Sequence, residues 1–99
     1  MSAISHPHCL VPLFIPLYTR YFEAFKRGSK KTEFRTYGPG WNERTCVAGR
    51  RVTISKGYGK YERLSGVITR FNRRKTTACI RIELDAVQQT PNTFQLRQQ

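Results

Sequence analysis

The sequence predicts an α+β fold, a small curled antiparallel β-sheet with one main N-terminal helix. Two observations carry this: only residues 18–27 place apolar side chains at helical spacing, and about five short runs elsewhere alternate as strands do, separated by glycine and proline breaks. One helix cannot supply the crossovers that parallel strands need, so an antiparallel sheet is expected, and curling it into a barrel would hide its edges. A chain of 99 residues is the size of one domain with one core. Residues 1–8 read as an N-terminal tail, 9–88 as the folded domain, and 89–99 as a C-terminal tail or final strand.

Each element follows from its residues. Residues 9–17 carry a near-continuous apolar run in which Pro12 and Pro16 confine the strand to a sheet edge or an irregular entry, because proline cannot donate to a ladder. Tyr18, Tyr21, Phe22 and Phe25 then recur at spacings of three and four and are read as the core face of a helix. Lys26 and Arg27 suit its negative C-terminal end, and Gly28 supplies the left-handed residue that closes it. "KTEFRTY" alternates as a strand with Lys31, Glu33 and Arg35 on one face and Phe34 directed into the core; "GPGWNER" breaks it. "RRVTIS" and "RLSGVITRF" are further strands around the glycine loop "GYGK", with Gly66 a candidate bulge and Leu64, Gly66 and Ile68 facing away from Val67, Thr69 and Phe71. "CIRIEL" sets Ile80, Ile82 and Leu84 against Arg81, Glu83 and Asp85, the clearest half-buried strand.

Eighteen Lys and Arg against six Asp and Glu give a formal charge of +12, which favours a polyanionic partner, nucleic acid first. No amphipathic basic helix or lipidation site directs that charge to a membrane, and the apolar run at 9–17 is too short to span one. Three cysteines without paired spacing, and no secretory segment, fit a reduced, cytoplasmic setting. His6, His8 and Cys9 stand together at the start, but no second ligand pair completes a metal site, and no cofactor is expected.

The residues of "GSKKTEFR" are more specific. Gly28, Lys30, Glu33 and Arg35 fit GxKxxExR after a strand and an aromatic helix, and this resembles the signature of the ASCH domain family. "VAGRRVTIS" and "GYGKYERLSGVITRF" are similar to later segments of small phage and bacterial members, so the resemblance covers roughly residues 10–85. It implies a PUA-like β-barrel in which the motif lines a cleft, with Lys30 and Arg35 as the cleft's lysine and arginine. It also implies RNA or nucleotide binding. Some members are amidohydrolases acting on acylated cytidines, and at least one is a ribonuclease. Where the amidohydrolases carry a threonine nucleophile this chain has Glu33, which cannot play that part in the same way; Glu83 is the candidate for the family's remaining acid.

The chemistry of these residues points the same way. Arg35, held by Glu33, offers a guanidinium fork to phosphate, and Lys30 and Lys31 add ammonium groups; the alternative is a solvated strand face with an ordinary ion pair. From Arg50 to Lys75, nine basic residues accompany one acid, Glu62, with aromatics interleaved. Tyr58, Lys60, Tyr61, Arg63, Arg73 and Arg74 combine stacking with phosphate contact, as single-stranded nucleic acid requires, unless the tyrosines cap the barrel and "NRRK" is only a charged turn. Trp41 either stacks on a base or folds over the core. The function expected is thus an RNA- or nucleotide-binding module. The alternatives are a hydrolase on a modified nucleoside or RNA, with Lys30 as proton carrier, Glu33 as general base or water-positioning group and Arg35 holding the phosphate or carbonyl oxygen, or an adaptor for an acidic protein.

Overall fold

A computed structural model describes residues 11–59 and 62–86. The two tails, with His6, His8 and Cys9, lie outside the described residues, as do Lys60 and Tyr61. The elements run β1 (Leu13–Leu17), α1 (Thr19–Arg27), β2 (Thr32–Thr36), β3 (Arg51–Lys56), β4 (Arg63–Arg74) and β5 (Thr77–Leu84), and the strands form one sheet in the order β1-β3-β4-β5-β2. The sheet curls into a half-barrel over a core built from Ile15, Phe22, Phe25, Ile54, Ile68 and Ile80 with their neighbours.

The expected antiparallel sheet is mixed. β1 pairs with β3 in parallel, while β3–β4, β4–β5 and β2–β5 are antiparallel. The parallel pair needs no second helix, because α1, β2 and the long loop after β2 together return the chain to the far edge. β1 is an edge, one of the two placements its proline allows. Leu17 O accepts from the Gly57 amide at 2.8 Å, so Leu17 turns its backbone toward β3 and its neighbour Pro16, with no N–H to lose, turns away.

α1 begins at Tyr18, whose extended backbone leads into the helix without a side-chain cap, and ends at Gly28 with φ 87°. The amides of Ser29 and Lys30 both close onto Ala24 O, at 3.0 and 3.1 Å. Only Phe22 and Phe25 of the expected core face are buried; Tyr18 and Tyr21 are exposed beside the open edge of the sheet. α1 thereby joins the two edge strands, β1 and β2.

The phase of β2 is opposite to the expected one. Glu33 is buried and Phe34 is 54% exposed, because the inward side of this edge strand faces charged groups that need the carboxylate more than the core needs another ring. Gly66 is not a bulge. It sits where a Cβ would lie 2.6 Å from the backbone oxygen of Glu83, so close strand approach is what demands glycine. The bulge falls between Ile68 and Arg70, and beyond it Phe71 packs on the core instead of the outer face. No helix among the described residues is long and apolar enough to cross a membrane. Cys46 and Cys79 are buried free thiols.

Candidate functional site

The two edges of the half-barrel face each other across a seam, and the motif lies in it. Arg35 on β2 donates from Nη2 to Pro16 O on β1 at 2.7 Å, tying edge to edge. Its Nε donates to Glu33 Oε2 at 2.6 Å, and Lys30 Nζ approaches Glu33 Oε1 at 3.6 Å while donating to Thr32 O at 2.8 Å. Glu33 thus has a cation on each oxygen, which is how a carboxylate can be buried at all. Two cations to one anion leave the cluster positive.

Aromatic rings surround this cluster. Lys30 Nζ lies 5.2, 5.5 and 5.3 Å from the ring centres of Tyr21, Phe25 and Phe34, and the Arg35 guanidinium lies 4.7 Å from that of Trp41. The rings and the desolvated stems hold the two cations in fixed positions. Above them opens a cleft of about 510 Å³, with Glu33 and Arg35 among its lining and walls from Tyr18, Tyr21, Phe34 and Tyr58. Tyr18 and Tyr58 are 77% and 83% exposed, an unusual state for large rings. Phe14 meets Tyr58 at 6.3 Å between ring centres and carries the Arg63 guanidinium 5.2 Å from its own.

A second ionic cluster holds the loop that presents Tyr58. Lys56 Nζ, one residue before Gly57, reaches Glu62 Oε1 at 2.6 Å and Glu23 Oε2 on α1 at 3.3 Å, and Lys26 reaches Glu62 Oε2 at 3.2 Å. The hydrogen bond from Lys56, then that from Lys26, holds the Glu62 carboxyl below its usual range. Glu62, then Glu23, raises the Lys56 ammonium.

The fold therefore brings Glu33, Arg35 and Tyr58 into one cleft, with Lys30 on the other oxygen of Glu33 and Arg63 close by on Phe14. Trp41 folds back over the core and backs Arg35 from within instead of standing free. Lys31 is exposed and lines a different cavity with Lys30, Arg81 and Glu83, so neither lysine nor Glu83 is in the lining of the seam cleft. Arg73 covers the Tyr37 ring at 3.9 Å, and Arg74 ends β4 on the hairpin, both away from the seam. Sequence reasoning missed Tyr18, Tyr21 and Phe34 as cleft walls. Their apolar spacing is that of core positions, and only the location of the seam exposes them. Among the described residues no group of His, Cys, Asp or Glu is placed to hold a metal ion. No protein-family model matches this chain, and no curated protein is significantly similar to it.

Proposed function

We propose that this protein binds single-stranded RNA or a nucleotide in the seam cleft, as an ASCH-type module of the PUA-like barrels. The observation that carries the reading is the pairing of two exposed tyrosines, Tyr18 and Tyr58, with a floor in which Arg35 lines the cleft and Lys30 backs it through Glu33. Exposed rings stack on bases of any sequence, and the floor's charge attracts the phosphate beside the base. The curled sheet and the position of GxKxxExR on an edge strand beside a cleft support the family assignment. Binding is favoured over hydrolysis because Glu33, the carboxylate a hydrolase would use as base, is engaged by a cation at each oxygen.

Fluorescence anisotropy with labelled RNA oligonucleotides at low salt tests this. The wild-type chain binds, and Tyr18→Ala with Tyr58→Ala, both at exposed positions, removes most of the affinity while leaving the melting temperature in place. Equal binding by the double variant, or none by the wild type, overturns the proposal.

A further inference from the structure

The outer face of the β4–β5 hairpin holds a feature that the cleft does not use. Ile68 pairs with Ile82, and a regular ladder would continue with Thr69 opposite Arg81 and Arg70 turned inward opposite Ile80. The bulge skips Thr69, so Phe71 takes the inward place opposite Ile80 and Arg70 stands directly opposite Arg81. Both arginines are exposed. Like charges directly opposite on adjacent strands are destabilising. Among the described residues neither arginine has a carboxylate within ion-pair distance, not even Glu83 two positions along β5.

The surroundings extend this unrelieved charge. Arg81 also pairs with Thr32 of β2, next to exposed Lys31, and these two basic residues join Lys30 and Glu83 in lining a cavity of about 360 Å³. Toward the hairpin tip the next outward row is Phe34, Cys79 and Asn72, and the row after it holds Arg74 opposite Thr77. Successive rows lie ~7 Å apart along the strands. Phe34 belongs to this face and is also a wall of the cleft, so the two surfaces meet at its ring.

We propose that the Arg70–Arg81 pair, extended by Lys31 and Arg74, is a phosphodiester-binding track that receives the nucleic-acid backbone where it leaves the cleft past Phe34. A phosphate between the two guanidiniums converts a repulsive pair into two charge-assisted contacts. The identity of the ligand rests on the reading of the cleft; the anion site itself rests on the strand register.

The test is Arg70→Gln with Arg81→Gln, assayed with single-stranded RNA over a salt series. Each lost phosphate contact lowers the slope of log affinity against log salt by about 0.7, so the double variant should lose about 1.4 in slope and at least tenfold in affinity at low salt. Phe34→Ala should weaken binding with no change in slope. An unchanged slope in the arginine variant overturns the track. Thermal melting with inorganic tripolyphosphate needs no cleft: the wild type should be stabilised and the double variant should not. Stabilisation through the pair without RNA binding sinks the cleft reading alone, whereas equal stabilisation of both proteins sinks the track. Poly-glutamate of matched charge binding as tightly as RNA, and depending equally on the pair, would assign the face to an acidic protein and overturn the phosphodiester proposal. With its repulsion relieved, the double variant should melt no lower than the wild type at low salt, which separates lost binding from lost folding.

Discussion

Two ionic clusters flank the cleft, and they differ chiefly in depth. In Lys30–Glu33–Arg35 the side chains are 19%, 8% and 22% exposed; in the cluster around Lys56 and Glu62 they are 32–45% exposed. Each sets carboxylate against lysine or arginine at similar distances. Water competes with every contact of the outer cluster, so it fixes the direction of a loop at little gain in stability. Around Glu33 water is largely excluded, so the charges need one another and the cluster becomes part of the fold. Binding chemistry and the mechanics of closing a sheet can thus reside in the same side chains.

Breaking the inner cluster gives the largest expected effect. Glu33→Ala leaves Lys30 and Arg35 facing each other without their carboxylate and should cost about 3 kcal/mol, measured by urea unfolding. A loss no greater than that of an exposed ion pair would show that water reaches the seam freely. Next comes the surface that the outer cluster presents. Tyr58→Ala should weaken RNA binding by about 1–3 kcal/mol, the worth of one stacked base, with no change in urea midpoint. Arg35→Lys sharpens the comparison further. An ammonium cannot hold Glu33 and Pro16 O in the planar fork that Arg35 uses, so one hydrogen bond is lost, about 1 kcal/mol by the same unfolding measurement.

The smallest effect belongs to the outer cluster itself. Lys56→Gln should shift the melting temperature less than Glu33→Ala or Arg35→Lys, and about 0.5 M salt should erase the shift as charges are screened. Its pH window follows from the directions of the two shifts. Glu62 is held below its ordinary 4.5, so its contribution is complete above that pH and is lost as pH falls through the lowered folded value. Lys56 is raised above 10.5, so its contribution is complete below that pH and is lost as pH rises through the raised folded value. Thermal melts of wild type and Lys56→Gln should therefore differ by a constant amount between those limits and converge outside them.

Local patterns carried much of the fold. Helical spacing from Tyr18 to Phe25, the stop at Gly28 and the alternation of Ile80, Ile82 and Leu84 each depend on neighbours within a few residues, and each stands in the structure where the pattern puts it. Spacing alone could not say which side of β2 would be inner. Alternation has two phases, and an edge strand with Glu33 on one side and Phe34 on the other fits a core in either one until the cations of the seam are in place. Nor could it find the bulge, since Thr69 is skipped through pairing with another strand.

The sequence by itself determined one helix, five strands, the excess of positive charge and the residues able to form a cationic, aromatic site. Tertiary structure decided that β1 and β2 become facing edges, that Arg35 bridges them, that Tyr18 and Tyr58 are exposed and that Arg70 confronts Arg81. The physical reason is range. Propensity, capping and periodicity act over a turn or a strand, whereas a seam, a cleft and a cross-strand charge pair are made by residues that only the closing of the sheet brings together.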